Sequence, residues 1–388
     1  MTSKKTYLRT HPWLSFSVNL SAASPKLWIM LGECQSKCEH IARVPLRPDT
    51  ARQLQRIYLA KGALATTAIE GNTLSEEEVL RHLEGKLELP PSRKYLSQEI
   101  DNIVEGCNRM LQEISEGSIP VLTPARMLEL NRLVLRNLEV EEGVVPSELR
   151  SHSVLVGRYR GAPAEDCGYL LEKLGEWLNG PNFSGEPVLR ISYAIIKAVL
   201  AHLYIAWIHP FGDGNGRTAR LIEFQILISS GIPAASAHLL SNHYNLTRSE
   251  YYRLLDRAGK SGDVIPFIHY AVQGFLDGLH QQLDIIWRQQ WDITWRNFVH
   301  EFFRDKTSES DVRRRHLVLD LSLQAKPVLL SQVPLISTRL AQAYARKTER
   351  TMIRDLDFLL KAGLVEKTVE GFRARREIIL AFRTPRAQ

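Results

Sequence analysis

Residues 188–208 read VLRISYAIIKAVLAHLYIAWI, and residues 209–220 follow directly as HPFGDGNGRTAR. The first stretch is apolar almost all round, which predicts a central helix buried on every side rather than an amphipathic surface helix. That helix delivers His209 to its C-terminal end. Pro210 cannot continue it, so the chain must turn. Gly214 and Gly216 permit positive φ and close backbone approach. A second helix, from about Asn215 to Ser230, begins at once and is stopped by Gly231 and Pro233. Its free N–H groups point back into the turn and form an anion site. The fold is therefore expected to be mainly α, built around two helices and the tight polar turn between them.

The turn gathers several kinds of chemistry. Arg217 and Arg220 are three apart in the first turn of the second helix and can fork onto phosphate oxygens. Asp213 is a hard carboxylate suited to Mg²⁺ that also holds substrate phosphates. His209, with an ordinary pKa near ~6.5, can accept a proton at neutral pH. A base, a metal ligand, an amide nest and two guanidiniums suit attack at phosphorus, where positioning and charge neutralisation dominate. The segment is not a Walker loop, since no GK[ST] follows the glycines, and the kinase signatures are absent.

The segment resembles the signature of the Fic family, HPFx(D/E)GNGRxxR, without a departure, and a looser similarity extends over about residues 50–275. The resemblance implies a helical bundle with a β-hairpin flap. It also implies transfer of AMP from ATP to a Tyr, Thr or Ser hydroxyl of a protein, with Mg²⁺ (or Mn²⁺) and release of pyrophosphate. On that reading His209 is the general base and Asp213 the metal ligand. Asn215 meets the α-phosphate, with the Gly214 and Gly216 amides as an anion hole. Arg217 and Arg220 meet the β- and γ-phosphates, and Phe211 anchors the loop from a buried position.

Upstream, Thr66–Asn72 (TTAIEGN) resembles the family's inhibitory element, (S/T)xxxE(G/N). A glutamate reaching the anion site would pair with an arginine and exclude the γ-phosphate. Glu70 is that residue, Arg220 its expected partner, and Thr66, one turn earlier, is expected to steady it. The same carboxylate could instead orient water for removal of AMP, and the sequence leaves both roles open. Residues 149–163 (LRSHSVLVGRYRGAP) lie where the family's flap pairs with an extended piece of the protein target, with Val154–Val156 as strand. Tyr251 and Tyr252 resemble a position at the adenine pocket, where an aromatic ring would stack. Relatives often carry an asparagine seven residues later; this chain has Gly259.

Outward from this centre, helices are expected over 49–69, 95–116, 123–138, 166–179 and 187–208. Ser75 with Glu76–Glu78 reads as an N-cap opening another helix. Residues 249–312 read as helical, interrupted once around Gly259, Gly262 and Pro266. No apolar run reaches the ~18 residues of a membrane span, and Met1–Trp13 lacks the apolar segment of a signal peptide. No membrane association and a cytoplasmic location are the expectations. The four cysteines are too few for a disulfide scaffold in 388 residues, and free buried thiols are expected.

The net charge of +7 is uneven, because residues 313–388 hold 16 Lys+Arg against 7 Asp+Glu and the remainder holds 34 against 36. That basic segment reads as a winged helix. Ser337–Tyr344 is a helix, and Thr348 caps a second with Met352, Ile353, Leu356, Leu359 and Leu360 inward. Strands Val365–Val369 and Phe372–Leu380 follow. Arg346, Lys347, Arg350 and Arg354 near the recognition helix, and Arg373, Arg375 and Arg376 on the wing, would suit DNA phosphates; a protein partner or a homodimer is the alternative use. The chain thus divides into an N-terminal helical region (1–115, inhibitory helix about 50–72), a Fic catalytic core (116–280), a helical linker (281–312) and the winged helix (313–388). Two functions compete: an autoinhibited AMP-transferase acting on a protein, and a DNA-binding regulator whose Fic domain senses nucleotide. The intact His209 favours the enzyme.

Overall fold

A computed structural model describes residues 5–380 except 158, 184 and 185, and the chain divides into two compact units, residues 1–283 and 284–388. The first contains α1 (Tyr7–Thr10), α2 (Pro25–Arg43), α3 (Pro48–Ala68), α4 (Glu76–Leu83), α5 (Lys94–Ser115) and α6 (Pro124–Val134). A two-stranded antiparallel hairpin, β1 (Leu155–Val156) and β2 (Tyr159–Arg160), comes next. Then follow α7 (Cys167–Asn179), α8 (Arg190–Ile208), α9 (Asn215–Ser229), α10 (Ala234–Ala237), α11 (Leu239–Leu246) and α12 (Arg248–Ser261). The long α13 (Ile265–Phe302) contributes residues to both units.

The helix read as central is central. α8 packs along α9 and is flanked by α2 and α7, while α9 also meets α3, α5 and α6. Ile195, Val199, Leu200, Leu203 and Ile208 are fully enclosed. With its preceding turn, Pro187–Ile208 does reach the length and apolar content of a membrane span, contrary to the sequence expectation, but 83% of its most apolar window is buried inside the protein. Its hydrophobicity is used on other helices. The last two turns of α3 carry Ala60, Gly62, Ala63, Ala65, Thr66 and Thr67, all buried. A Cβ at Gly62 would overlap the His238 ring, so the small residues let α3 lie close to its neighbours and carry Glu70 to the motif. Ser75 caps α4 in a reciprocal box with Glu78, whose N–H donates to Ser75 Oγ (3.2 Å) while Ser75 N–H donates to Glu78 Oε2 (2.8 Å).

Some boundaries differ from the reading. α6 ends at Val134 rather than 138, because Asn137 takes a positive φ of 58° and the buried Asn102 amide donates to the carbonyls of Val134 (3.2 Å) and Arg136 (2.8 Å). Pro266 lies inside α13, in its first turn, where a missing N–H costs nothing. A second break, not expected, separates α13 from α14. All four cysteines are free and buried, and burial pushes the Cys38 thiol up to about 12.

The second unit contains α14 (Glu309–Leu321), α15 (Thr338–Tyr344), α16 (Glu349–Lys361) and an antiparallel pair, β3 (Val365–Thr368) and β4 (Gly371–Ala374). Val328 pairs with Phe372 to extend the sheet by one bridge. This closeness requires Gly371, which has φ of 137° and whose Cβ would overlap the Val328 carbonyl. In chain order the unit thus runs through three helices into an antiparallel hairpin. Trp295, Val299 and Phe303, read as linker, belong to this unit's core. Ile353 is 41% exposed rather than inward, Thr348 stands at the N-cap of α16 without a side-chain capping bond, and β4 ends at Ala374. Residues Arg376–Ile379 are a 3₁₀ turn instead of strand, and 381–388 lie outside the described residues.

The polar centre of this core is Asp355, 1% exposed. It accepts from Arg313 Nε (2.6 Å), Arg314 Nε (2.8 Å) and the Tyr344 hydroxyl (3.1 Å). Replacing Asp355 by Ala should destabilise the second unit by about 3 kcal/mol, since two guanidiniums lose their shared carboxylate. Urea unfolding followed by tryptophan fluorescence should show a transition of the 284–388 unit moved to lower denaturant.

Candidate active site

His209 closes α8 in the left-handed conformation (φ 49°, ψ 59°), with its N–H donating to Ile205 O at 2.8 Å. Non-glycine residues seldom adopt positive φ, and the conformation persists only where surroundings hold it. Here Pro210 forbids further helix, and the loop beyond is pinned from inside. Asn215 accepts from Phe211 N–H (3.0 Å) and donates to Phe211 O (2.9 Å). The Asn215 side-chain amide, expected on the α-phosphate, is thus committed to the loop backbone, and Phe211 is buried as expected. Asn131 on α6 reaches across to donate to Asp213 O at 2.9 Å. Gly214 begins α9 with φ of 76°, and a Cβ there would press on Asn131, Val134 and Leu135.

The two arginines diverge. Arg217 donates to Glu99 Oε1 (2.7 Å) and to both oxygens of Asp213 (3.2 Å each). Glu99, on α5, also accepts from the Asn72 amide at 2.8 Å. Burial holds the Glu99 carboxyl above its ordinary value despite Arg217. Arg220 is fully enclosed and pairs with Glu70 through Nη2, which also donates to Thr66 O at 2.8 Å. Its Nε and Nη1 are buried and, among the described residues, have no hydrogen-bond partner. Thr66 therefore meets the pair through its carbonyl oxygen, on Arg220, rather than by steadying Glu70. Burial opposes ionisation of Glu70, but the charge and hydrogen bond of Arg220, with Arg217 behind, hold its carboxyl below the ordinary value. A Cβ at Gly216 would collide with Glu70 Oε1, so this approach requires glycine.

Glu70, His209, Asn215, Gly216, Tyr251 and Tyr252 line one cavity of about 580 Å³. Burial, with a smaller contribution from Arg150, lowers the His209 imidazole to about 4, although the Ala206 carbonyl, Glu70 and Asp213 pull the other way. At neutral pH His209 is uncharged and able to accept a proton. Tyr251 is 4% exposed and stacks on Tyr244, with ring centres 5.0 Å apart. Tyr252 is 47% exposed, and its hydroxyl donates to Ile69 O at 3.4 Å. Both are at the cavity, and Tyr251 is a core residue as well. A Cβ at Gly259 would lie 3.2 Å from Trp207 Nε1, so a longer side chain there would crowd this wall.

Arg150 was not singled out by its sequence context, yet it holds the site together. Only 5% exposed, it donates to the carbonyls of His209 (2.6 Å), His152 (2.5 Å), Ile208 (3.3 Å) and Ala162. Its own N–H donates to Pro210 O at 3.0 Å. One guanidinium caps the negative end of α8 and ties both ends of the flap to the catalytic turn. The flap is further fixed by the Tyr159 hydroxyl on Trp207 O (2.8 Å) and by His11 Nε2–H on Arg160 O (2.9 Å). Leu155 and Val156 of β1 remain 63% and 46% exposed.

Comparison with known proteins agrees with this geometry. Residues 121–227 match the model of the Fic/DOC family. The chain is 34% identical over 214 residues to protein adenylyltransferase fic-1 of Caenorhabditis elegans, covering 54% of this chain and 38% of that protein. It is 30% identical over 207 residues to protein adenylyltransferase Fic of Drosophila ananassae, covering 53% and 38%. The chain thus spans about two-fifths of the length of these curated relatives. Among solved structures, a Fic family protein from Desulfovibrio desulfuricans G20 superposes with a TM-score of 0.56 at 20% identity, over 90% of this chain and 96% of that one. Fic-1 of C. elegans superposes with 0.53 at 24% identity, over 68% and 74%. These structural likenesses concern the fold. Residues 121–227 are thus similar in sequence to the Fic/DOC family, and the helical bundle around them shares the fold of Fic family structures.

If Arg150 joins flap to turn, Arg150→Met should free the flap without unfolding the bundle. Hydrogen exchange read by mass spectrometry should show the amides of Gly161 and Ala162 losing roughly tenfold protection, while those of α8 keep theirs.

Proposed function

We propose that this chain is an autoinhibited protein adenylyltransferase, moving AMP from ATP to a hydroxyl side chain of a protein target or of itself. The observation that carries the proposal is the cavity that unites an uncharged His209, the N-terminal residues Asn215 and Gly216 of α9, and Glu70, whose carboxylate is already paired to the buried Arg220. His209 takes the proton of the attacking hydroxyl as that oxygen bonds to the α-phosphorus and pyrophosphate leaves. Arg220 brings two unpaired N–H groups to the triphosphate once Glu70 withdraws, and Arg217 can exchange Glu99 and Asp213 for phosphate oxygens. Glu70 and the γ-phosphate compete for one guanidinium, which is the physical content of the autoinhibition.

A divalent cation such as Mg²⁺ fits the donors present. Among the described residues no group of three or more metal-ligating side chains is assembled. Asp213 is a single, half-exposed carboxylate at the mouth of the anion site. Such a donor set suits Mg²⁺, which keeps several waters and shares itself between one carboxylate and substrate phosphates. Bound there, the ion would neutralise phosphate charge. The exposed edge of β1 offers the flap to an extended target segment.

Incubation with labelled ATP and Mg²⁺ tests the proposal. Glu70→Gly should raise self-labelling by about tenfold or more, as expected when under a tenth of the molecules are competent. His209→Ala should lower it by about 10²–10⁴-fold. Equal labelling in all three proteins would reject the mechanism. The active form of His209 is the uncharged one, present above its folded pKa and lost below it. The acid limb of the rate should therefore lie near about pH 4 rather than near ~6.5.

One feature of the second unit supports a further role, binding of duplex DNA. Arg346, Lys347, Arg350 and Arg354 are exposed and, among the described residues, form no salt bridge. The wing contributes less than its composition suggests, because Arg373 pairs with Glu366 and Arg376 with Asp292. In the full chain, Arg350→Glu with Arg354→Glu should reduce the salt slope of binding to a short duplex by about 2. Absence of binding by the parent at low salt would reject DNA as the partner.

A further inference from the structure

Along one wall of the cavity and into the core beside it lies a cluster of buried polar groups that the transfer mechanism does not use. His202 on α8 is 0% exposed and Glu223 on α9 is 1% exposed. His202 Nδ1 and Glu223 Oε2 lie 3.2 Å apart, within ion-pair reach though off the hydrogen-bonding line. On its other side His202 Nε2 is 2.8 Å from the Tyr251 hydroxyl. Glu223 Oε1 accepts from the Tyr244 hydroxyl at 3.0 Å, and Tyr244 stacks on Tyr251. With the His202 proton on Nδ1, on the side of Glu223, Nε2 accepts from the Tyr251 hydroxyl. Four polar groups from four helices are thus closed on one another, and two of them, His202 and Tyr251, line the cavity.

Stability alone does not account for such a group. A buried carboxylate–imidazole pair recovers little more than its desolvation cost, and apolar residues of similar size would hold four helices together as well. Geometry is what it supplies. A tyrosine ring clamped at its hydroxyl and by a stacked neighbour cannot tip into or away from the cavity. The neighbouring Tyr252 shows the contrast, with half its surface exposed and one long hydrogen bond.

We propose that Glu223 is a positioning residue that acts through the cavity-lining His202 and Tyr251, fixing the Tyr251 ring as a rigid wall against the nucleoside part of the bound nucleotide. This deepens the adenylyltransferase reading and rests on it for the identity of the ligand. The clamp is set before the ligand arrives, so binding need not pay for ordering the ring. Loss of the clamp should appear in nucleotide affinity more than in the chemical step, because Glu223 does not touch the reacting atoms.

The test uses the full chain carrying Glu70→Gly, with Tyr251→Phe, Glu223→Leu or Glu223→Gln added. Two readouts are taken: KM for ATP against kcat in self-labelling, and the rise in melting temperature caused by ATP with Mg²⁺. Tyr251→Phe removes one oxygen and keeps the packing, so it should fold. Its KM for ATP should rise about three- to tenfold, the worth of one buried hydrogen bond, with a smaller change in kcat. Glu223→Leu should do the same, and Glu223→Gln, whose amide oxygen still accepts, should return KM to within about threefold of the parent. An ATP-induced shift and KM equal to the parent's in Tyr251→Phe would overturn the positioning role and leave the transferase reading standing. A parent that is stabilised by ATP but transfers no label would overturn the transferase reading, while the thermal shifts of the variants still decide the role of the clamp. No ATP-induced shift in the parent would overturn both.

Discussion

The guanidinium of Arg150 is the point on which the site depends. It occupies the carbonyl end of α8, where a helix leaves its last C=O groups without partners, and it gathers oxygens from α8, the catalytic turn and both ends of the flap. A cation at that end opposes the negative pole of the helix. It also discourages a second positive charge nearby, which is one reason His209 stays uncharged. The left-handed backbone at His209 follows from the same constraint. With its carbonyl captured by Arg150 and its N–H by Ile205, the residue has one way to lead into Pro210. His209, the glycine-rich turn and the flap are thereby indexed to a single side chain.

Around that frame the charges nearly cancel. Glu70, Glu99 and Asp213 face Arg217 and Arg220, and each guanidinium already has a carboxylate. Breaking a buried pair is costly when nothing replaces the lost partner, and close to neutral when an equivalent anion does. Phosphate oxygens are such an anion. The arrangement therefore tolerates exchange of carboxylate for phosphate but resists an empty guanidinium. Arg220 shows the bias, since its enclosed Nε and Nη1 meet no acceptor among the described residues.

The catalytic turn was legible in the sequence because its chemistry is local. Buried helix, proline, glycines and arginines sit within thirty-odd residues, and each imposes a conformation on its neighbours. Glu70 was legible because it lies in a short element of its own kind. The residues that support them were not. Glu99, Asn131, Arg150 and Glu223 come from separate helices and loops. An isolated charged or amide residue in such a segment looks like any solvated one until the fold brings it inward. Other departures share a cause, the override of local pattern by tertiary context. Ile353 fits the apolar stripe of α16 yet faces outward, and the second wing strand stops at Ala374 where the backbone turns into a 3₁₀ helix. The core helix carries enough apolar character for a membrane because its solvent is other helices.

Gly216 has a consequence for how the contact between Glu70 and Arg220 can be altered. The Glu70 oxygen occupies the space that any side chain at 216 would fill, and the same space adjoins the N–H groups at the head of α9. A substitution there would displace the glutamate and at the same time put a side chain beside those N–H groups. A substitution at Glu70 empties the space without filling it. Parting Glu70 from Arg220 while leaving the head of α9 open is thus left to the end of α3, because the loop offers no independent route.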